Sequence, residues 1–504
     1  MPSVATSVSS LAAAVSERRL VGDGSALVRG IAYDSRLVEP GFLFAALPGA
    51  HADGHEFAAS AVDRGAAALL VERELPLATT QIVVPDSRAA LAAVATAFYR
   101  DPSRELGVIG ITGTDGKTTV SFLVDAILRA AGLATGLIGT VAIRVGDDED
   151  FHTTRQTTPE SADIQRLFRR MVDRGIDWAT VEATSHGLAM HRLDGTRFRA
   201  GAVTNVTREH LDYHGSVEHY RRAKGILFER VAAAGGTVVV NLDDPGARGM
   251  VEFAGDADVL TYSIEDHHAD LSAVGIVSTG GGSSFTLVCR GRGTAAVDLP
   301  LIGGFNIANA LCAAGVGLAV GLDLAVIAAG LGNAPAVPGR MALVQEGQPF
   351  AVVVDYAHTP EAMANVLPLL RRLFPLGRLI VVFGSAGERD VEKRPRQGEV
   401  AARLADLAVV TSEDPRYEDP DAIIDQITRG AIAAGAREGE SLFRFTDRRE
   451  AVRHALRTAA PGDCVLLAGK GHEESIIWSG EKRPWNEAGV ARALLRELGY
   501  RTER

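Results

Sequence analysis

The sequence predicts an α/β protein of three domains: residues 1–102, an α/β domain; 103–337, a P-loop ATPase-like domain on a mostly parallel sheet; and 338–504, a Rossmann-like, doubly wound domain. Three observations carry this. The 504 residues exceed one core, at roughly 100–200 residues per domain. Short apolar runs alternate with helical stretches, the pattern of parallel βαβ units. Many of those runs end in glycine or polar residues, as strands do where a ligand-binding edge follows.

Within residues 1–100, apolar runs at Gly41–Leu47, Ala67–Val71 and Gln81–Val84 lie among alanine-rich helical stretches, a small α/β unit that Asp101-Pro102 closes. Gly107–Thr112 reads as a strand, followed by a glycine turn and an apolar-periodic helix from about Lys117 to Ala131. Ala179–Ala183, Ala200–Asn205 and Thr237–Asn241 continue the βα repeats. Ala334-Pro335-Ala336-Val337-Pro338-Gly339 reads as a linker. Ala351–Asp355, Leu379–Phe383, Leu407–Thr411 and Cys464–Ala468 then build the last sheet. Glu182, Asn205, Asp355, Gly384 and Gly469 fall at or just past strand ends, which points to a site in a cleft between two domains.

Composition excludes several classes. With 46% hydrophobic and 23% charged residues the chain is an ordinary globular one. Its 52 basic and 63 acidic residues, net −11, include no long basic tract, so nucleic acid is not an expected partner. Three cysteines far apart form neither a disulfide framework nor a zinc site and suit a reducing, cytoplasmic setting. The N-terminus lacks the order of a secretory signal. Leu301–Leu322 carries no charge, but Gly303, Gly304, Asn306 and Asn309 make it buried helix rather than a membrane span.

The strongest chemical signal is Gly110-Ile111-Thr112-Gly113-Thr114-Asp115-Gly116-Lys117-Thr118-Thr119, between a strand and a helix. Gly113, Thr114, Asp115, Gly116 and Thr119 would cradle phosphates, Lys117 would reach the β- and γ-phosphates, and Thr118 would face a magnesium ion. Ile111 stands where the strict phosphate-loop spacing has glycine, so the loop is a variant. Such a loop leaves kinase, motor, switch and ligase open. Glu182, in Val181–Leu188, and His210, in Asn205–Gly215, supply a carboxylate and an imidazole able to hold magnesium or manganese near phosphates.

Together with Tyr220-Arg221-Arg222-Ala223-Lys224-Gly225-Ile226-Leu227-Phe228, these motifs resemble the Mur ligase superfamily of ATP-dependent amide-bond-forming enzymes. The resemblance spans essentially the whole chain. It implies ATP, two magnesium ions held by Thr118, Glu182, His210 and Lys224, and carbamylation of Lys224 to N6-carboxylysine. It also implies catalytic roles for Lys117, Glu182, His210 and Lys224. Ala32-Tyr33-Asp34-Ser35-Arg36 and Asp53-Gly54-His55 resemble the UDP-binding domain of the tripeptide-synthetase branch, whose substrate is a UDP-N-acetylmuramoyl-dipeptide. Ser35, Thr157, Thr158, Ser185 and Arg192 are the candidate contacts to it, by their hydroxyl and guanidinium groups. Asn306, Arg340, Asp355 and His358 lie in stretches that match the family's ATP-contacting segments.

Thr411-Ser412-Glu413-Asp414-Pro415-Arg416 resembles the family's Asp-Asn-Pro-Arg motif, whose arginine grips the carboxylate of meso-diaminopimelate. A guanidinium pairs with a carboxylate in two parallel bonds, which lysine as a substrate would leave unmade at its distal end. Arg389, Gly469 and Glu473 match further positions of that pocket, Glu473 as the acceptor of the distal ammonium. Asp115, Glu209 and Met190 replace the family's usual Asn, Asp and Gln. Glu413-Asp414 and Ser385-Ala386-Gly387-Glu388 replace Asp-Asn and Cys-Gly-Gly-Asp at the pocket itself. An aspartate at 414 adds negative charge that suits a second ammonium, so lysine or ornithine stays open as the substrate. A folylpolyglutamate-synthase-like or cyanophycin-synthetase-like ligase, and a non-catalytic Mur-fold scaffold, are the competing readings. The Ser35 segment argues against the folate-type ligase and the intact charged cluster against the scaffold. A monomer without membrane insertion is expected.

Overall fold

Val108, Ile109 and Ile111 are all fully buried, so Gly107–Thr112 has no solvent face. A strand buried on both faces needs neighbours on either side and helices above and below, which is the parallel α/β arrangement. The computed structural model describes residues 5–49, 52–150, 156–207 and 209–501. The chain forms two compact units, the first of Met1–Val274, Thr286–Val297 and Ala308–Leu331, the second of Gly275–Phe285, Asp298–Ile307 and Gly332–Arg504.

The first unit begins with strands β1 (Arg19–Val21), β2 (Gly30–Ala32), β3 (Phe42–Ala45), β4 (Ala68–Val71) and β5 (Thr80–Val83), in the order β1-β5-β4-β3-β2. β2 to β5 pair in parallel and β1 antiparallel at the edge. Helix α1 (Ser87–Phe98) packs Leu91, Val94 and Ala95 into this core, its N-terminus capped by Asp86.

The large sheet is built on β6 (Gly107–Thr112), β7 (Thr135–Ile138), β8 (Ile143–Val145), β9 (Asp148–Asp150), β10 (Trp178–Glu182), β11 (Ala200–Val203) and β12 (Thr237–Asn241). It continues through β13 (Asp258–Ser263), β14 (Leu271–Thr279), β15 (Gly282–Cys289) and β16 (Gly293–Leu299). The order is β9-β8-β7-β10-β6-β11-β12-β13-β14-β15-β16, parallel from β7 through β14. The expected βα strands are all present, with β11 ending at Val203 rather than Asn205. The run β14–β16 was not anticipated, although β15 alternates buried and half-buried residues with the period of two that marks a strand. Helices α2 (Lys117–Ala130), α3 (Ser161–Asp173), α4 (Ser185–Ala189) and α5 (Val217–Ala233) follow β6, β9, β10 and β11.

The uncharged stretch at 301–322 is mostly the helix α6 (Gly304–Ala319), and among the described residues no helix is long and apolar enough to cross a membrane. The second unit then carries β17 (Ala342–Leu343), β18 (Ala351–Asp355), β19 (Leu379–Phe383), β20 (Leu407–Thr411), β21 (Leu442–Phe445) and β22 (Cys464–Ala468). Their order is β17-β18-β22-β19-β20-β21, parallel except for β17. Helices α7 (Pro360–Leu373), α8 (Lys393–Leu404), α9 (Pro420–Ala433), α10 (Arg448–Thr458) and α11 (Glu487–Glu497) belong to the same unit, as does the hairpin β23 (Ser475–Trp478)–β24 (Glu481–Pro484). Val337 in the expected linker is fully buried and Ala334 nearly so, which makes that stretch a packed connection.

Candidate active site

In the first unit the site grows from the C-terminal ends of β10, β6 and β11, neighbours in the sheet. Glycine is required at two places in the β6–α2 loop. Gly113 and Gly116 have φ of +145° and +84°, and a Cβ on Gly116 would stand 2.5 Å from Asn309 Oδ1. Residues just past β11 fix the loop: Asn205 O accepts from Thr114 N at 2.8 Å, Asn205 Oδ1 accepts from Asp115 N at 2.9 Å, and Thr204 Oγ1 donates to Asp115 O at 2.5 Å.

Two lysines converge on this loop. Lys117 Nζ donates to Gly113 O at 2.9 Å and Thr114 O at 2.8 Å, and Lys224 Nζ donates to the same Gly113 O at 2.7 Å. Lys224 is buried on α5, with its Nζ 4.4 Å from the centre of the Tyr220 ring. Burial, reinforced by the Lys117 charge, holds its pKa well below the ordinary lysine value. Tyr220 Oη lies 3.1 Å from Thr114 Oγ1 and donates to Glu209 at 3.4 Å. Tyr220 therefore ties the loop, Lys224 and the segment bearing His210 together; its role was not read from the sequence.

Glu182, the last residue of β10, is nearly fully buried. Its Oε2 accepts from Thr118 Oγ1 at 3.1 Å and Thr140 Oγ1 at 2.9 Å, and its Oε1 accepts from Thr140 N at 2.9 Å. A Cβ at residue 139 would lie 2.2 Å from that Oε1, so Gly139 makes room for the carboxylate. The adjacent hard oxygens of Thr118 and Glu182 suit magnesium, and that pair fits the ion. His210 is not in this group. It sits on a φ of +54°, its ring 4.8 Å from His186 and 6.3 Å from Tyr220, beside the Lys224 cluster. Among the described residues no three His, Cys, Asp or Glu side chains are gathered for a metal. Arg208, within the same motif, lies outside the described residues.

The expected UDP-substrate residues lie in the same unit. Ser35 opens a short turn capped by Asp34, whose carboxylate is paired with Arg36. Thr157 Oγ1 is 2.9 Å from Thr140 Oγ1, next to Glu182. Thr158 is buried, donating to Glu182 O at 2.7 Å and accepting from Thr184 N at 3.2 Å. Its hydroxyl thus braces the end of β10. Ser185 is the buried first residue of α4. Arg192 bonds Thr158 O at 3.1 Å and Glu160 at 3.0 Å, and Arg88 also reaches Glu160.

In the second unit Asp355 ends β18, its carboxylate accepting from Met341 N at 2.8 Å and Ala357 N at 2.9 Å. Burial raises its pKa. Arg340 stacks 5.3 Å from the Tyr356 ring, and His358 lies 4.6 Å from that ring with Nδ1 near Tyr356 O. Asn306 is buried on α6 and donates to Ile302 O at 2.9 Å.

Past β20 and β22, Glu413, Asp414 and Lys470 are all buried. Lys470 Nζ donates to Asp414 Oδ1 at 3.0 Å and to Glu473 Oε2 at 2.5 Å. Asp414 Oδ1 also accepts from Ile477 N at 2.8 Å. Part of the negative charge expected to attract a substrate ammonium is thus met by a lysine of the chain itself, which weakens the argument from Asp414 for lysine or ornithine. Burial raises the Glu413 pKa, and its Oε2 has no hydrogen-bond partner among the described residues. A Cβ on Gly469, φ +101°, would stand 2.8 Å from that oxygen.

Pro415 is buried, and Arg416 sits at φ +56°, paired to β23 through Arg416 N to Ile477 O at 3.0 Å and Ser479 N to Arg416 O at 2.6 Å. Arg416 Nε is buried with no partner among the described residues. Arg389 is exposed. Beneath these loops the buried pair Arg448–Glu487 (2.8 Å) also bonds Ser412 O and Ala468 O, bracing the ends of β20 and β22.

A parallel sheet whose first βα turn carries this loop, with a buried carboxylate on one neighbouring strand and two lysines on the loop, defines a nucleotide-dependent phosphoryl-chemistry enzyme. The chain belongs to the Mur ligase family. The Mur ligase catalytic domain matches residues 27–100, the middle domain 111–317 and the glutamate ligase domain 339–471. A relative from Roseiflexus sp. (strain RS-1), named UDP-N-acetylmuramyl-tripeptide synthetase, is 46% identical over 490 residues, 94% of this chain and 95% of its own. A relative from Streptomyces coelicolor, named UDP-N-acetylmuramoyl-L-alanyl-D-glutamate--2,6-diaminopimelate ligase, is 42% identical over 485 residues, 94% of each chain. A solved structure of a ligase of that same name superposes with a TM-score of 0.71 at 30% identity, covering 99% of this chain and 100% of its own.

Proposed function

We propose that this protein is an ATP-dependent ligase that adds meso-diaminopimelate to UDP-N-acetylmuramoyl-L-alanyl-D-glutamate through an acyl phosphate, in peptidoglycan precursor synthesis. The names of its relatives support this reading, and the observation that carries the choice of amino acid is the Lys470 bridge between Asp414 and Glu473. With Lys470 held by those two carboxylates, Arg416 is a cation available to a distal carboxylate, and its buried Nε, without a partner among the described residues, is costly unless a ligand meets it.

The D-glutamyl carboxylate attacks the γ-phosphorus, ADP leaves, and the amine of the diamino acid then displaces phosphate from the acyl carbon. Both anions of the first step approach Lys117, whose ammonium offsets charge on the transferred group. Magnesium, when bound, supplies further charge neutralisation at the phosphates; Thr118 and Glu182 would hold one ion, and His210 with carbamylated Lys224 a second. An uncharged Lys224 amine is the form that adds to carbon dioxide, releasing a proton, and burial favours that form. Gly113 to Thr119 hold ATP, aided by Asn306, Arg340, Asp355 and His358. Ser35, Thr157, Thr158, Ser185 and Arg192 bind or brace the UDP-substrate's site. Arg389, Glu413, Pro415, Gly469 and Glu473 complete the amino-acid pocket. The protein acts as a cytoplasmic monomer of three domains with boundaries near residues 102 and 337, and its three free cysteines, all buried, fit a reducing compartment.

The test is phosphate release with ATP, magnesium and the UDP-dipeptide, offering meso-diaminopimelate, L-lysine, L-ornithine and L-glutamate in parallel. Turnover with meso-diaminopimelate well above the rest is expected; preference for lysine or ornithine would overturn the assignment.

A further inference from the structure

Lys470 is fully excluded from solvent, yet no step of the ligation uses it. Burying an ammonium costs several kcal/mol unless it is paired and hydrogen-bonded, and here two carboxylates share it, Asp414 at 3.0 Å and Glu473 at 2.5 Å. The three side chains come from two loops, one past β20 and one past β22. The Asp414 oxygen that takes this ammonium also takes the Ile477 amide of β23, the strand that pairs with Arg416. Charge balance and the placement of Arg416 therefore meet at one carboxylate.

We propose that Lys470 is the specificity-determining residue of the amino-acid pocket: its ammonium occupies one oxygen each of Asp414 and Glu473 from within the chain. A substrate bearing only an ammonium at its distal end then competes with Lys470 for those carboxylates, while one that also bears a carboxylate gains Arg416. The inference rests on the diamino-acid ligase reading and adds the physical origin of the choice.

Lys470 and Arg416 stand with the carboxyl groups of Asp414, Glu473 and the buried Glu413. Removing the Lys470 charge makes the pocket more negative and draws a purely cationic side chain into it. Removing the Asp414 charge instead makes the pocket less negative and favours a carboxylate at Arg416. Specificity is a difference of affinities, so the two substrates must shift in opposite directions. A change of packing alone carries no such sign.

The experiment measures kcat/KM for meso-diaminopimelate and for L-lysine, at saturating ATP and UDP-dipeptide, in the native protein, Lys470→Met, Asp414→Asn and the double variant. The ratio of the two constants is independent of how much of each variant is folded. Lys470→Met should lower the ratio by about tenfold, Asp414→Asn should raise it, and the double variant should return to within about threefold of native. Loss of all activity in Lys470→Met leaves Asp414→Asn as the deciding variant. A ratio unchanged or lowered in Asp414→Asn, or a double variant no closer to native than Lys470→Met, overturns the inference. A native protein that prefers lysine overturns the ligase assignment instead, so the two failures are distinguishable.

Discussion

A buried lysine between a tyrosine ring and a backbone carbonyl is an unusual place for an amine, and Lys224 shows what that position does chemically. Its hydrogen bond to Gly113 O needs only an uncharged NH2, whereas the charged form must bear both desolvation and the nearby Lys117. Replacing it with alanine should abolish phosphate release, with partial return of turnover when a short-chain carboxylate is added in place of the carbamate. Unaltered turnover in that variant would remove Lys224 from the reaction. Lys224→Met, which keeps the volume and sheds the polar group, should lack activity yet unfold at higher temperature, by about 1–2 kcal/mol of stability at neutral pH; a lower melting temperature would show that the bond to Gly113 O outweighs desolvation.

Strands and their ends were the most legible level of the sequence. Thr237–Asn241, Ala351–Asp355, Leu379–Phe383, Leu407–Thr411 and Cys464–Ala468 have the bounds that their apolar runs give. Glu182 and Asp355 close their strands as polar residues at a ligand edge do. Less legible were partners far apart in the chain. Lys470 lies 56 residues from Asp414, and nothing local in either loop announces that they meet. Thr140 escaped notice for the same reason: Ile138-Gly139-Thr140 is an ordinary strand end until the fold sets it beside Glu182. At the start of α1 a charged relay joins elements in a way that titrates. His191 Nδ1 bonds Asp194 at 2.9 Å, Asp194 pairs with Arg230 of α5, and His191 Nε2 lies 3.8 Å from Asp86, the cap of α1. The Asp194 hydrogen bond raises the His191 pKa. Its stabilisation is therefore full below the ordinary value near 6.5 and fades as pH climbs through the raised folded value, about 0.5 kcal/mol for a half-exposed pair. Melting temperatures from pH 6 upward should fall more in the native protein than in His191→Asn; parallel curves would show that the pair adds nothing.

The whole molecule is acidic, with 63 carboxylate and 52 basic side chains. ATP and a UDP-sugar peptide approach it as anions, so beyond the immediate reach of Lys117 the field opposes them. Raising salt from about 20 to about 200 mM shortens the screening distance from about 20 Å to about 7 Å. It should raise kcat/KM for the nucleotide modestly, and a steep fall would show that local cations steer the encounter. The two units also differ in how they are assembled from the chain. The second takes Gly275–Phe285 and Asp298–Ile307 from upstream of its main body, Gly332–Arg504. On the ribosome these stretches emerge long before β22 is made, a delay of roughly ten to thirty seconds at ordinary elongation rates. During that interval Ile302, which in the finished protein shares one core with Val353, Leu379 and Leu466, waits in the nascent chain. The pace of synthesis between residues 307 and 468 thus becomes a variable in the yield of folded protein, one that synonymous codons can alter without changing a single residue.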